Sequence, residues 1–304
     1  MGLALCSMGG RTAMQRTDWS ISRDSGDSIN KTLSSFERYL AGRGIRESTI
    51  EGYSACLRRY LKCCGSDRPP ISKVEEYRNE LLDRHLSRST LNNTGFALRQ
   101  FYGMLGEPIE IPFLKANGHI PDYFREDEVQ RIFGACHNLK HLAMLHTIFY
   151  GCLRASELCD LDDRDLVLKE MSVRVREGKG GRDGVVFIQE ECARVLREYL
   201  ERRPPLIVDN RRPLFYTDSG RRWDRKMLSA MFMKIKRRSG VERAGGLHVF
   251  GRHTPASLMI ANGCDIRIVQ KVLRHKSITT TVKYAHVNDE TARRWYERCL
   301  RLGQ

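Results

Sequence analysis

The stretch from Gly106 to Pro121 carries Pro108, Pro112, Gly118 and Pro121, and it constrains the chain more than any other segment. Proline lacks the N–H that a helix needs and forces extended backbone on the residue before it, so no helix runs through this stretch. The 304 residues therefore divide into two bodies of ordinary domain size, with residues 106–121 as the linker between them. Before the linker, apolar residues recur at helical spacing from Ile29 to Leu105. Leu33, Phe36 and Leu40 form one stripe, and Ile50, Tyr53, Leu57, Tyr60 and Leu61 a second. Val74, Tyr77 and Leu81 form a third, and Phe96, Leu98, Phe101 and Tyr102 a fourth. Gly44 closes the first predicted helix, Ser48 is placed to cap the second, and Ser87 or Ser89 the fourth. Residues 1–28 mix Gly, Ser, Arg and Asp without periodicity and read as a mobile tail, too short for a further DNA-binding domain.

Residues 122–304 alternate between helix and short strand. Helical spacing spans Glu126–Ala135, Leu139–Tyr150, Glu191–Arg202, Arg225–Arg238, Pro255–Asn262, Ile266–Leu273 and Asp289–Leu302. Val167–Leu168, Val173–Arg176 and Val185–Ile188 have strand character, and the glycine-rich Glu177–Gly184 turns the last two into a hairpin. The expected fold class is mainly α: a four-helix N-terminal domain at 29–105, then an α+β domain at 122–304 with a small antiparallel sheet.

Charge narrows the partner. Lys and Arg number 52 against 37 Asp and Glu, a net +15. Residues 1–121 hold 17 basic and 13 acidic residues, and residues 122–304 hold 35 and 24. Both halves are basic, which points to a polyanion: nucleic acid or an anionic membrane surface. No apolar run approaches the roughly 18 residues of a membrane span. The most apolar segment, Leu142–Leu153, is interrupted by His146 and Thr147. The N-terminal MGLALCSMGG has no basic flank for a signal peptide, and the 10 cysteines are scattered without a C-x-x-C. A cytoplasmic protein with free thiols is expected. His137, His141 and His146 lack the H-E-x-x-H spacing, so neither a metal site nor a cofactor is expected.

The chemistry-bearing residues lie in the second half. Taken alone, Gly151-Cys-Leu-Arg154-Ala-Ser-Glu157-Leu reads as an apolar helix ending at an arginine, with an i,i+3 ion pair to Glu157. Farther on stand His248-Val-Phe-Gly-Arg252-His253, then Leu273-Arg-His275, then Tyr284. Lys179 sits in the glycine turn between Gly178 and Gly180. Two arginines, a turn lysine, histidines and a late tyrosine in a basic protein suggest phosphoryl transfer on DNA without a metal. A phosphodiester in transit gains negative charge on its nonbridging oxygens, and planar guanidinium groups offer it paired donors.

These segments resemble the tyrosine recombinases, the family of phage-type integrases and Xer-type recombinases. Gly151–Leu158 matches the family's first arginine box, and Arg252-His253 begins its second. Val272-Leu-Arg-His275-Lys-Ser-Ile-Thr-Thr-Thr-Val-Lys-Tyr284-Ala-His-Val matches its third. The N-terminal helices resemble the family's SAM-like core-binding domain, so the resemblance runs from about residue 29 to residue 304. It implies that Arg154 and Arg252 clamp the scissile phosphate and that Tyr284 attacks it, forming a 3′-phosphotyrosyl link. Lys179 matches the general acid for the leaving 5′-oxygen, with Arg182 as a nearby competitor. His248 would assist proton transfer at Tyr284, and His275 would donate to the phosphate or leaving group. One feature departs from the pattern. The family spaces its second box as His-x-x-Arg, whereas His248 and Arg252 are four apart with Gly251 between them. On a helix both spacings share a face, and His253 is the nearest substitute if His248 is displaced. The resemblance implies a site-specific recombinase acting on double-stranded DNA as a synaptic homotetramer, with Asp289–Leu302 docking on a neighbouring protomer. A type IB topoisomerase and a DNA-binding module without catalysis are the rival readings. The basic run Arg221–Arg243 is a phosphate-contacting face or simply a solvated one.

Overall fold

A computed structural model describes residues 23–115, 122–178, 182–208 and 210–284, together with 293, 296 and 297. The chain divides into two compact units, Met1–Asn117 and Gly118–Gln304.

The first unit is built from α1 (Arg23–Gly42), α2 (Glu47–Cys64), α3 (Ser72–Asp83) and α4 (Arg88–Met104). α1 begins at Arg23, within the stretch that composition assigned to a tail. The reason is Ile29, which extends the stripe of Leu33, Phe36 and Leu40 one turn back and is buried with it. Ser48 does not cap α2. That helix starts at Glu47 after Arg46, with no side-chain cap, and the Glu47 carboxylate meets the positive end of the helix dipole instead. Ser87 caps α4 by accepting the Thr90 N–H at 3.2 Å. In the core Phe36 meets Phe101 edge-on, with ring centroids 6.2 Å apart. Tyr60 and Tyr102 are fully buried, and their hydroxyls share a 2.8 Å hydrogen bond. Tyr102 in turn donates to the Pro69 carbonyl at 2.9 Å, so both polar tips are satisfied. Beyond Gly106 the backbone is irregular, as the prolines require, yet it is held in place. Ile111 packs over Gly95, Phe113 stacks on Phe96 at 4.2 Å, and the Asn92 amide pairs with both backbone groups of Leu114.

The second unit opens with α5 (Glu126–Gly134), α6 (Leu139–Tyr150) and the short α7 (Ala155–Cys159). Then come β1 (Leu166–Val167), β2 (Ser172–Gly178) and β3 (Arg182–Phe187), an antiparallel sheet in the order β1-β2-β3. Val173 pairs with Val186 and Gly178 with Arg182, with an irregular register between Val175 and Gly178. The strands thus run closer to the hairpin tip than the valine clusters indicated. Among the described residues there follow α8 (Glu190–Arg202), α9 (Arg225–Arg238), α10 (Thr254–Ala261), α11 (Ile266–Val272) and α12 (Thr279–Val282), and the helix expected at 289–302 lies largely outside them. α7 and α12 are too short to show a periodicity of their own. Phe250 is fully buried and centres an aromatic cluster, 5.0 Å from Phe232, 5.3 Å from Phe149 and 5.6 Å from Phe133. A second, smaller core gathers Cys152, Ala256, Val269, Leu273 and Tyr284. Tyr284 is one of the candidate site residues and belongs to this second core. Buried Asp162 ties the sheet to the segment before α9 by pairing with Arg176 at 2.6 Å and with Arg222. Burial pushes its carboxyl up, but those two guanidinium groups overcome this and hold it below the usual range. Among the described residues no helix is long and apolar enough to cross a membrane.

Candidate active site

α6 ends at Tyr150, and the backbone turns through Cys152 at φ 47 before α7 begins. Arg154 therefore opens a helix rather than ending one, which corrects the expectation from the apolar run. It is the residue that leads into α7, and Glu157 accepts from its backbone N–H at 2.8 Å and from its Nη1 at 2.5 Å. The expected i,i+3 pair is thus present, built around the start of the helix. Glu157 is buried and also pairs with Arg274. Burial raises its carboxyl, but Arg274 and Arg154 more than compensate and hold it below the ordinary value.

Arg252 is 2% exposed and has no ion-pair partner among the described residues. Its Nη1 donates to the Cys152 carbonyl at 2.7 Å and its Nη2 to the Leu273 carbonyl at 2.6 Å. These two bonds fix the plane of the guanidinium and leave three of its five N–H groups for a ligand. Burial, and then the charge of Arg154, bring it down to about 10, so it stays protonated at neutral pH. The guanidinium groups of Arg154 and Arg274 thus share the Glu157 carboxylate, while Arg252 beside them has no carboxylate partner among the described residues. Buried positive charge without a partner is costly, and an anion seated here removes that cost.

Tyr284 is buried, and its hydroxyl lies 2.7 Å from His253 Nδ1. Burial raises the phenol and the nearby Arg252 opposes it, with a net rise. His253 is held down to about 4 by burial and by the charges of His248 and Arg252. It is therefore neutral near pH 7, and its Nδ1 and the Tyr284 hydroxyl share that hydrogen bond. His275 is also held down to about 4, by burial and then by Arg252 and Arg154. Its Nδ1 pairs with the Thr281 hydroxyl at 2.9 Å.

The irregular His248–Arg252 spacing has a structural solution. Val249–His253 forms a π-helical turn, in which the Thr254 N–H donates to the Val249 carbonyl five residues back. A π turn takes more residues per revolution than an α turn, so the fourth residue after His248 occupies the face that the third holds in an α-helix. His248 consequently stays at the site. Its ring stands edge-on to that of His253, with centroids 4.7 Å apart. Burial, followed by Arg252 and Arg154, lowers its pKa.

Of the six residues singled out in the sequence, five converge: Arg154, His248, Arg252, His275 and Tyr284. Lys179 lies outside the described residues. Two neighbours of the site carried no primary role in the sequence reading. His253 makes the contact with the Tyr284 hydroxyl expected of His248, and the extra residue in the second box was the signal for it. Arg274 joins Glu157 from a left-handed backbone position, φ 54, which nothing in its residue type announces. The basic run Arg221–Arg243 is partly structural. Arg222 is paired with Asp162, Arg243 with Glu128, and Lys236 is buried over the Phe124 ring.

The sequence profile of the Phage integrase family matches residues 122–291, more than half of the chain. The chain belongs to that family, the tyrosine recombinases. It is a site-specific recombinase that acts on DNA. It is 31% identical over 277 residues to the tyrosine recombinase XerA of Thermococcus kodakarensis, covering 88% of this chain and 95% of that protein. The crystal structure of a XerA recombinase is 30% identical, with a TM-score of 0.54, over 90% of this chain and all of that one. The Tn1549 transposon integrase, solved with transposon right end DNA, shares the fold with a TM-score of 0.67 at 20% identity. That match covers 88% of this chain and 98% of the integrase chain. The mainly helical architecture with its small antiparallel sheet is the one the sequence led us to expect.

Proposed function

We propose that this recombinase cuts and rejoins double-stranded DNA through a 3′-phosphotyrosyl intermediate on Tyr284, and that four protomers exchange strands between two duplexes. The observation that carries the proposal is the Tyr284 hydroxyl, bonded at 2.7 Å to a neutral histidine beside an arginine-rich, carboxylate-poor pocket. A phosphate seated between Arg154 and Arg252 receives donors from both guanidinium groups, and more strongly as charge builds on its oxygens. Tyr284 Oη attacks phosphorus, the bond to the 5′-oxygen breaks, and the phenolic proton passes to His253 Nδ1, with His248 packed beside that ring. His275 Nε2 donates to the phosphate. The departing 5′-oxygen takes its proton from Lys179. Attack by the 5′-hydroxyl of another strand reverses each step, restoring a phosphodiester and a free phenol. The covalent link conserves the bond energy, so the cycle consumes no cofactor.

The tetramer has its own support. A cleft of about 780 Å³, lined by Phe149, Val185, Phe187, Leu258, Met259 and Ile268, is open and largely apolar. Phe187 is 68% exposed. Such a surface fits an amphipathic segment, and in the proposed assembly the neighbouring protomer's residues 289–302 fill it. The enzyme works in the cytoplasm, where its described cysteines, all free thiols, remain reduced.

The test is covalent trapping. Nicked duplexes from the DNA flanking the gene, and a pool of nicked random-sequence duplexes, are incubated with the protein and resolved under denaturing conditions. A protein–DNA adduct that disappears in Tyr284→Phe, while DNA binding persists, is the expected result. An adduct that survives in Tyr284→Phe would overturn the assignment. Transfer of label between two duplexes distinguishes strand exchange from resealing of a single duplex.

A further inference from the structure

Resting on that reading, we propose that Gly251 is a positioning residue: its missing side chain lets the π turn lie flush on α6, and that seating delivers Arg252 and His253 to the reacting groups. The second box holds one residue more than a helical face needs, and the turn over Val249–His253 absorbs it. Glycine is the poorest choice after proline for a helix interior. The backbone at 251 does not call for it either, since Gly251 is not among the residues with positive φ. Packing does. A Cβ at position 251 would lie 2.9 Å from Ile148 Cγ1, 3.3 Å from its Cδ1 and 3.5 Å from its carbonyl oxygen. The first distance is well inside carbon–carbon contact, about 3.5–4.0 Å.

Ile148 cannot yield cheaply. It is 1% exposed on α6, Cγ1 lies at the stem of its side chain, and it belongs to the same buried core as Phe250. Interiors of that density transmit a misfit rather than absorb it. The two residues after Gly251 are the ones whose placement depends on the seating. Arg252 spans the Cys152 and Leu273 carbonyls at 2.7 and 2.6 Å, and His253 meets Tyr284 Oη at 2.7 Å. A methyl group at 251 lifts the turn from α6 and moves both side chains off these partners.

The experiment compares wild type, Gly251→Ala, Ile148→Ala and the double variant. Adduct formation on the random-sequence nicked pool, thermal melting and NMR titration of the His253 imidazole are followed for each. Displacement near 1 Å at a reacting group costs about a hundredfold in rate, so Gly251→Ala is expected to lose about that much cleavage. Ile148→Ala opens the space, keeps cleavage and melts lower. The double variant regains cleavage although it melts below Gly251→Ala. Activity and stability thus move in opposite directions, which a merely structural glycine would not produce. The imidazole, at about 4 in the wild type, rises toward its ordinary value in Gly251→Ala and returns in the double variant. Full cleavage in Gly251→Ala, or a double variant as inactive as Gly251→Ala, overturns the proposal. If the wild type forms no Tyr284-dependent adduct, the catalytic reading fails, and the imidazole titration still decides the role of Gly251.

Discussion

Among the described residues Glu157 is the carboxylate paired with the arginine cluster, and replacing it with glutamine tests the electrostatics of the site directly. The carboxylate is 6% exposed and binds Arg154 and Arg274. Removing one member of a buried ion pair costs about 3–5 kcal/mol. Glutamine keeps an oxygen for the Arg154 N–H, so the lower end, about 3 kcal/mol, applies here. For a unit of this size each kcal/mol lowers Tm by about 2–4 °C, so Glu157→Gln should melt about 6–12 °C below the wild type at pH 7. The pH dependence has a definite sign. The folded pKa of Glu157 is depressed, so its contribution is complete above the unfolded value of about 4.3 and is lost as pH falls through the folded one. The gap between wild type and variant should therefore close in acid. Calorimetry from pH 7 to pH 3.5, with wild type and variant side by side, cancels the other carboxylates. Added sulfate should rescue the variant more than the wild type, because three guanidinium groups then lack any carboxylate. Melting within about 2 °C of wild type at pH 7, or a gap that persists in acid, would refute the reasoning.

Arg252→Lys keeps the charge but cannot span the Cys152 and Leu273 carbonyls. Single-turnover cleavage should fall by about 10²–10³-fold, with DNA affinity less affected, and a cleavage rate near wild type would count against the clamp. His253 titrates at about 4, so the cleavage rate should be flat above about pH 5 and fall as pH drops through that value, when the proton acceptor is lost. In His253→Gln the rate should be lower and that acidic limb absent; an unchanged profile would remove His253 from the proton path. Asp162→Asn breaks a buried carboxylate's pairs with Arg176 and Arg222. It should cost about 3–5 kcal/mol in denaturant unfolding without changing the pH profile of the folded enzyme's cleavage.

The sequence by itself determined the architecture wherever one periodicity ran long enough to have a single burial solution. The stripes of Leu33, Phe36, Leu57, Leu98 and Phe101 specify helices that share a core, and α6 and α9 form over the very residues the spacing indicated. It also supplied the residue types of the candidate site, because guanidinium, imidazole and phenol groups are suited to holding and attacking a phosphodiester. Elements of four or five residues, such as α7 and α12, leave no period to read. The early start of α1 depended on Ile29 finding a core to enter. The contact of His253 with Tyr284 and that of Arg274 with Glu157 belong to the tertiary structure, since they join residues 31 and 117 positions apart. The spacing of the second box shows the division most clearly. On the sequence, the residue between His248 and Arg252 is one too many. In the fold it becomes a π turn, because Phe250 is anchored in the aromatic core on one side and Arg252 is held by two carbonyls on the other. The backbone joining those two fixed points has to take up the extra residue.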